Sequence, residues 1–376
     1  MPMHTPAITG AGVYTPPHAI TNAELVEAFN AYADRTNAAN ADAIARGEAE
    51  ALAHSSEEFI VKASGIEQRY VMTREGILDP AVMHPVLPPR ADDAASIMAE
   101  MALDAAHKAL AQAGRDPSEV DLVICAASNM ERAYPAVAIE IQQLLGAGGM
   151  AFDMNVACSS ATFGLQAAAD MIRADSVRCA LIVNPEICSA HLEWRDRDCH
   201  FIFGDVATAM VVENKQNAKA AHFEVLSTRC ATQFSNNIRN NNGFLRRTRA
   251  GAMQDRRDMQ FMQNGRKVFK EVLPLVSAHI AEHMQAEGVA AEDLSRLWLH
   301  QANKTMNDLI GKKVLGLTPE PGEQPYILQD YANTSSAGSI IAFSKFSDDL
   351  ADGSTGLLCS FGAGYSVGSA LLRRCG

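Results

Sequence analysis

One cysteine of the sequence stands where a nucleophile could be activated. In AFDMNVACSSATFGLQAAADMI, an apolar strand leads into Cys158 and then into a helix with small residues in its first turns. Free N–H groups and the positive end of the helix dipole favour a thiolate at such a position. A thiolate is a nucleophile for acyl transfer. The alternative is a buried structural cysteine, because cysteine is among the residue types most often buried.

Three further segments place polar groups next to predicted elements. His300 ends a predicted strand in RLWLHQANKTMNDLIGKKVLG, where Asn303 precedes a helix, and Asn333 precedes another helix in DYANTSSAGSIIAFSKF. Helix capping is the ordinary role of such asparagines, and His300 could be a core histidine, but strand ends are also where α/β folds place their sites. The Gly-rich segment SFGAGYSVGSALL contains Gly364. It is either a tight hairpin or a turn that presents a backbone N–H to an oxyanion.

Short apolar runs alternate with amphipathic stretches along the chain, which is typical of an α/β protein. The predicted strands are 7–14, 122–127, 152–155, 179–184, 207–213, 223–229, 296–299 and 355–361. The predicted helices are 94–113, 136–145, 161–175, 265–287, 304–315 and 339–352. Two similar helix–turn–strand units, GRDPSEVDLVICA and GVAAEDLSRLWLH, suggest an internal duplication with halves 1–215 and 216–376. Such an arrangement is also common without duplication.

Composition excludes several classes of protein. The 376 residues include 32 Lys and Arg against 44 Asp and Glu, a net charge of −12, and 48% are hydrophobic. This is the profile of a soluble globular protein, and the acidic balance argues against a nucleic-acid partner. With no long apolar run and no basic leader followed by an apolar core, we expect neither a membrane span nor a signal peptide. The eight cysteines contain no C-x-x-C pair, so we expect reduced thiols, no metal site and a cytoplasmic location.

Two segments depart from the overall pattern. Residues 33–57 are polar and Ala-rich, which predicts a mobile helix and loop. Residues 236–257 carry six arginines on an acidic chain. That cluster is either a solvated loop or a docking patch for an anionic partner.

Together these motifs resemble one family. The whole chain is similar to the β-ketoacyl-acyl-carrier-protein synthase III family of the thiolase superfamily, through ACSSATFGL, DRDCHFIFGDVATAMVVE, LHQAN, YANTSSAGS and FGAGYSVGSALL in the family's order. The resemblance implies a homodimer with the five-layered αβαβα thiolase fold. It implies condensation of an acyl-CoA primer with malonyl-acyl-carrier protein in fatty-acid biosynthesis, giving 3-oxoacyl-acyl-carrier protein, CO2 and CoA. It implies no cofactor, because acyl-CoA is a substrate.

The resemblance also assigns catalytic roles. Cys158 would carry the acyl group, and His300 and Asn333 would drive decarboxylation of the malonyl thioester. Loss of CO2 leaves an enolate, and two hydrogen-bond donors on its oxygen lower the barrier. The backbone N–H groups of Cys158 and Gly364 would form the oxyanion hole.

Substrate-binding roles follow from the same resemblance. Arg197 would stack on the adenine of CoA, with Phe59 where many members have a tryptophan. Asn303 would be a polar residue of the pocket that contains the oxyanion hole. Tyr134 would cross the dimer interface to close the partner's acyl tunnel.

Chain length and docking complete the expectations. The 33–57 segment resembles that of longer members that use medium-chain primers, and Val367 replaces a tryptophan, so we expect a wider tunnel and a primer near octanoyl. Carrier proteins are acidic, which makes the arginine cluster and a nearby lysine the expected docking face, namely Arg246, Arg247, Arg249 and Lys304.

Three alternatives remain open from the sequence. A related enzyme of secondary metabolism would condense or transfer acyl groups onto a small molecule. A cysteine hydrolase would use the same cysteine and histidine and release a free fatty acid. A catalytically silent acyl-binding protein would need none of these groups.

Overall fold

The structure is a computed structural model that describes residues 4–241 and 256–376, with Arg256 described by its backbone only. The strands are β1 (Pro6–Tyr14), β2 (His18–Thr21), β3 (Gln68–Val71), β4 (Leu122–Ala126), β5 (Met150–Met154), β6 (Cys179–Ile187), β7 (Asp205–Asn214), β8 (His222–Ser235), β9 (Ile238–Arg239), β10 (Met262–Gln263), β11 (Leu294–Leu299), β12 (Thr355–Gly362) and β13 (Gly364–Cys375). The helices are α1 (Asn22–Ala39), α2 (Ala41–Ala45), α3 (Glu57–Ser64), α4 (Ile97–Ala113), α5 (Val137–Leu145), α6 (Ser160–Arg173), α7 (Gly265–Glu287), α8 (Lys304–Leu315), α9 (Leu328–Tyr331) and α10 (Gly338–Lys345).

Nine strands hydrogen-bond in the order β11-β12-β13-β8-β1-β7-β6-β4-β5. The first half of the chain forms β1-β7-β6-β4-β5, and the second half forms β8-β13-β12-β11. The two runs meet where β1 and β8 share a short antiparallel pairing of Ala7 with Glu224 and Ile8 with Phe223.

The two runs repeat the same pairing pattern. In β1-β7-β6-β4, the first two pairings are antiparallel and the third is parallel. In β8-β13-β12-β11, the same three directions recur in the same order. The division of the chain at residue 215 stays a prediction.

Helices and strands alternate in five layers. One core cluster joins α4 and α5 to β4, β6 and β7, and another joins α7 and α8 to β11, β12 and β13. A third cluster lies between the two runs of strands and includes α6 and α10. Alternate residues of one strand enter different clusters, as Val123 and Ile124 of β4 do, because successive side chains of a strand point to opposite faces. Strands such as β4 and β12 are therefore buried on both faces, which explains their nearly continuous apolar sequences. Strands β5 and β8 are partly exposed.

A smaller cluster forms a cap next to the carboxyl end of β6 and the amino end of β7. It packs α1 and α3 and the β2–β3 pair against residues 188–203 and includes the fully buried Trp194. Thr21 begins α1 with a capping box to Glu24. This cap carries the segment that contains Arg197.

The 33–57 segment is tied to the cap, contrary to the expectation of a mobile helix and loop. Residues 33–39 continue α1. The Asn37 amide accepts a hydrogen bond from the Leu52 N–H at 2.8 Å and donates one to the Leu52 carbonyl at 3.0 Å. Asn30 makes the same two bonds to Ser55, at 2.8 and 3.1 Å. The side chains of Asn30 and Asn37 thus satisfy backbone N–H and C=O groups of this loop, which a neighbouring strand would otherwise do.

Candidate active site

Cys158 lies in the turn between β5 and α6. Ala157 before it has a φ of +49°, a conformation uncommon for residues other than glycine. Its N–H donates to Asn155 Oδ1 at 3.0 Å, and its carbonyl accepts from Ser160 Oγ at 2.7 Å. These bonds hold the strained turn that presents the Cys158 thiol.

His300 follows the end of β11 and is 2% exposed. Its N–H donates to the Cys359 carbonyl at 2.8 Å, and its carbonyl accepts from Asn307 Nδ2 at 2.8 Å. Its ring meets the Phe361 ring edge to face, with centroids 5.2 Å apart. Burial lowers the pKa of His300 to about 4, so the imidazole is neutral at pH 7.

Asn333 lies in the loop between α9 and α10 and is 7% exposed. Its backbone accepts from the Gly204 N–H at 3.1 Å and donates to the Ile202 carbonyl at 2.9 Å. The Ser335 N–H donates to Asn333 Oδ1 at 2.8 Å. This bond fixes which end of the amide is the oxygen, and it leaves the Nδ2 donor without a hydrogen-bond partner among the described residues.

A cavity of ≈ 400 Å³ brings these three side chains together. Cys158, His300 and Asn333 all line it, although they come from three distant parts of the sequence. Much of the remaining wall is apolar and includes Phe201, Val268 and Met306. The cavity therefore combines a thiol, a neutral imidazole and an amide donor in a largely apolar site, as expected for a small-molecule site.

A second cavity of ≈ 110 Å³ begins on another side of the cysteine. Cys158 lines both cavities, as do Phe203, Ile238 and Phe261. The smaller cavity also contacts Cys188 and His191. A thioester on Cys158 would thus have one space for its acyl chain and another for an attacking group.

The environment of Cys158 opposes the expected thiolate. Burial raises the pKa of this thiol to about 11, although hydrogen bonds from the Ser335 hydroxyl and the Ala363 backbone lower it. Desolvation therefore raises the pKa of Cys158 by more than the helix N-terminus could lower it. At pH 7 the resting site holds an uncharged thiol beside an uncharged imidazole.

The backbone N–H that reaches the thiol belongs to Ala363 rather than to Gly364. Ala363 hydrogen-bonds to Cys158 and lines the small cavity. Gly364 is not among the described residues that line either cavity. Its φ of +129° turns the chain into β13. Gly362 makes the approach possible, because a Cβ there would lie 2.6 Å from Cys158 Cβ. The role of Gly364 in the oxyanion hole stays a prediction, and Ala363 is the neighbouring residue whose backbone the structure places at the thiol.

Arg197 and Phe59 contact each other directly. The Arg197 guanidinium lies 3.9 Å from the centroid of the Phe59 ring, a cation–π contact. Arg197 Nε also donates to the His54 carbonyl at 2.7 Å, which joins it to the tied segment. An adenine ring could enter between the two side chains only after they separate.

Asn303 has the capping role that its sequence position allowed. Its side chain accepts from the Met306 N–H at 3.0 Å at the start of α8, and Nδ2 donates to the Ala63 carbonyl at 2.7 Å. It also lines the large cavity. The next residue, Lys304, is exposed and pairs with Asp308 at 2.9 Å.

Other predicted site residues lie apart from the cavities. Tyr134 is 86% exposed and lies before α5. Val367 is buried in the outer core of the second half and is not among the described residues that line either cavity. It therefore gives no support for a wider tunnel. The docking residues Arg246, Arg247 and Arg249 lie outside the described residues.

Sequence reasoning missed Ser335, Ala363 and His191 as residues of this site. Ser335 Oγ lies 3.4 Å from Cys158 Sγ. His191 lines the small cavity, and burial lowers its pKa. The YANTSSAGS and FGAGYSVGS segments had been singled out, but nothing in them distinguishes one serine or one N–H from the next.

Metal-ligating residues approach one another at one place in the described residues. His222, Glu224 and Cys375 bring one donor atom each within 4.8 Å of the others. Glu224 already pairs with Lys215 at 2.5 Å. Cys375 is at the far end of β13 from Gly364, roughly 35 Å along the strand, so this group has no part in the site around Cys158.

Comparison with known proteins identifies the class. The family model for 3-oxoacyl-[acyl-carrier-protein (ACP)] synthase III matches residues 152–233, and the model for its C-terminal part matches 284–374. A β-ketodecanoyl-[acyl-carrier-protein] synthase of Pseudomonas aeruginosa is 55% identical over 350 residues, which is 93% of this chain and 100% of that protein.

More distant relatives agree. A β-ketoacyl-[acyl-carrier-protein] synthase III of Acidiphilium cryptum is 29% identical over 99% of this chain and 100% of its own length. The crystal structure of 3-oxoacyl-[acyl-carrier-protein] synthase III from Aquifex aeolicus has a TM-score of 0.77 at 25% identity and covers 98% of this chain and 99% of that one. The chain belongs to the 3-oxoacyl-[acyl-carrier-protein] synthase III family. It has the thiolase-like fold and is a condensing enzyme of the acyltransferase class.

Proposed function

We propose that the protein condenses a medium-chain acyl-CoA with malonyl-acyl-carrier protein and releases CO2 and CoA. The observation that carries this proposal is the shared cavity, in which a thiol faces two neutral side chains, His300 and Asn333. A hydrolase or a simple acyltransferase has no use for a pair of enolate donors. No step needs a metal or a cofactor.

The first half of the reaction is acyl transfer to Cys158. The thiol loses its proton to the neutral His300 as sulfur attacks the thioester carbonyl. The CoA thiolate leaves and takes this proton from His300, which is then neutral again. The Cys158 and Ala363 N–H groups are backbone donors beside the reacting sulfur, and such donors stabilise a tetrahedral oxyanion. The acyl chain then occupies the small cavity.

The second half forms the carbon–carbon bond. The malonyl carboxylate leaves as CO2, and its electron pair becomes an enolate whose oxygen accepts hydrogen bonds from His300 and Asn333 Nδ2. The enolate carbon attacks the acyl-Cys158 carbonyl, and the cysteine leaves as a thiolate that regains a proton from water. A pKa of about 4 keeps His300 from quenching the carbanion as an acid.

The relative from P. aeruginosa supports a medium-chain primer. Its name specifies a ten-carbon 3-oxoacyl product, and malonate adds two carbons after CO2 is lost. That product implies an eight-carbon primer for the relative, which agrees with the octanoyl-CoA that we expect for this chain from its sequence.

Intact-mass spectrometry after incubation with acyl-CoA esters of increasing length tests the proposal. We expect one acyl adduct, strongest near octanoyl-CoA, that malonyl-acyl-carrier protein converts to a 3-oxoacyl product. Cys158→Ala should lose the adduct, whereas Cys230→Ala, a partly exposed thiol outside both cavities, should keep it. An adduct that water discharges and malonyl carrier does not would show a hydrolase instead.

We also propose that the protein is a cytoplasmic homodimer. All eight cysteines are free thiols, as a reducing compartment requires, and none of the described helices has the length and hydropathy of a membrane span. Strand β5 pairs with β4 on one side, and its outer edge has no partner among the described strands. This edge and the exposed Tyr134 could bind a second copy. Sedimentation equilibrium of the intact protein tests this, and a monomer at micromolar concentration would contradict it.

A further inference from the structure

Ser335 contacts each of the three groups assigned to the reaction. Its hydroxyl donates to Cys158 Sγ at 3.4 Å, and its N–H donates to Asn333 Oδ1 at 2.8 Å. Its backbone also forms a hydrogen bond that raises the pKa of His300 against the effect of burial. Among the described residues, no other side chain forms a hydrogen bond to the Cys158 sulfur.

The neighbouring residues hold Ser335 in place without help from Cys158. Ser335 is 2% exposed and has a φ of +50°. The next residue, Ser336, donates to Glu186 Oε1 from its N–H at 3.2 Å and from its hydroxyl at 2.5 Å. Glu186 is itself buried and accepts from the Ser128 N–H at 2.9 Å. This network keeps the strained turn in one conformation.

A hydroxyl so placed acts most strongly when the sulfur is charged. A thiol or a thioester sulfur is a weak acceptor, whereas a thiolate accepts a charge-assisted bond. Sulfur carries this charge twice in the proposed reaction, when it attacks the acyl-CoA and when it leaves the condensation product. The hydroxyl therefore favours the same transient species in both halves.

We propose that Ser335 is a positioning residue that stabilises the Cys158 thiolate through its hydroxyl while its N–H orients the Asn333 amide. The proposal rests on the proposed function for the identity of the two steps. The hydroxyl and the N–H are separable, because Ser335→Ala removes only the first.

Alkylation of Cys158 by iodoacetamide between pH 7 and 9 tests the hydroxyl without any substrate. We expect Ser335→Ala to react about tenfold more slowly at each pH, since a hydrogen bond to a charged group is lost. Ser335→Gly, which tolerates the positive φ, should show the same loss. In steady state, Ser335→Ala should lower the acylation rate by a similar factor and leave KM for acyl-CoA within about twofold.

Thr334→Val is the matched control. The Thr334 hydroxyl is buried one residue away and has no hydrogen-bond partner in the described residues, and valine has nearly its shape. Alkylation of Ser335→Ala within twofold of the parent would overturn the proposal, as would equal slowing in Thr334→Val. Because alkylation needs neither acyl-CoA nor malonate, this result stands apart from the acyl-adduct experiment, which tests the function itself.

Discussion

At the scale of single residues, the site depends on groups that stay uncharged. His300 is neutral because its pKa is about 4, and Asn333 does not titrate. Neutral donors stabilise an enolate without protonating its carbon, whereas a charged imidazolium would be an acid beside a carbanion. The burial that keeps His300 neutral also raises the pKa of Cys158, so one apolar environment sets the charge of both groups.

Asn333→Asp separates the two halves of the reaction. The Ser335 N–H can still donate to one carboxylate oxygen, but the Nδ2 donor is lost and a negative charge faces the enolate. We expect condensation to fall by about 10²–10³, the effect of removing one oxyanion donor, while the acyl adduct on Cys158 still forms. Rapid-quench measurement of acylation and CO2 release checks this. Equal loss of both steps would mean that Asn333 supports the site as a whole.

Sequence reasoning reached the residues of distinctive type and missed those whose role depends on geometry. Cys158, His300 and Asn333 stand at element ends in recognisable motifs, and the structure places them in one cavity. Ala363 contributes only an N–H, which every residue except proline has. Ser335 stands in a run of serines, and only the turn with φ of +50° aims its hydroxyl at the sulfur.

At the scale of elements, periodicity located most helices and strands. The predicted helices 265–287 and 304–315 coincide with α7 and α8. The predicted helix 339–352 was wrong at its end, since α10 stops at Lys345. There Arg296 and Trp298 both donate to the Phe346 carbonyl, at 2.6 and 3.0 Å, and these tertiary bonds take the acceptor that a longer helix would use.

Other elements were missed because their signals are weak. Helix α1 begins at Asn22, ahead of the polar segment 33–57, and the sequence signal for its start is a capping box of only two residues, Thr21 and Glu24. Strand β13 starts inside the Gly-rich segment, where glycines weaken a strand signal.

The turn at Gly362 provides a prediction at this scale. A Cβ at this position would lie 2.6 Å from Cys158 Cβ and 3.0 Å from its sulfur. We expect Gly362→Ala to displace the nucleophile and reduce acylation at least about 10²-fold, with far-ultraviolet circular dichroism unchanged. Gly322→Ala is the control, since a Cβ there meets nothing within 4 Å. Normal acylation by Gly362→Ala would show that the turn yields more readily than the packing indicates.

At the scale of the whole molecule, buried histidines link stability to pH. Burial lowers the pKa of His200, His283 and His300 from 6.5 to about 4. Between these values the unfolded chain binds more protons than the folded one, so the free energy of unfolding falls as pH drops from 6.5 to 4. Burial raises the pKa of Asp205 to about 6 and also raises the pKa of Glu186, and these two carboxyl groups act in the opposite direction. Burial lowers the pKa of His191 and His279 as well, so five histidines oppose two carboxyl groups.

Thermal unfolding across this pH range checks the prediction. We expect Tm to decrease steadily from pH 6.5 to 4.5. His283→Gln, which can keep a hydrogen bond to Ser227 or Ser369, should make the decrease shallower. A Tm that rises over this range would show that the buried carboxylates dominate.

The central layer has a consequence for synthesis of the chain. Helix α6 belongs to the first half of the sequence, yet its neighbours include β12 and β13 of the second. When the first half of the chain has left the ribosome, the apolar face of α6 that packs against β12 and β13 has no partner. That face stays exposed to solvent until β13, which ends at Cys375, is also released. Apolar surface that is exposed during synthesis makes a folding intermediate prone to aggregation. The nascent chain should therefore depend on chaperones until β13 has been released.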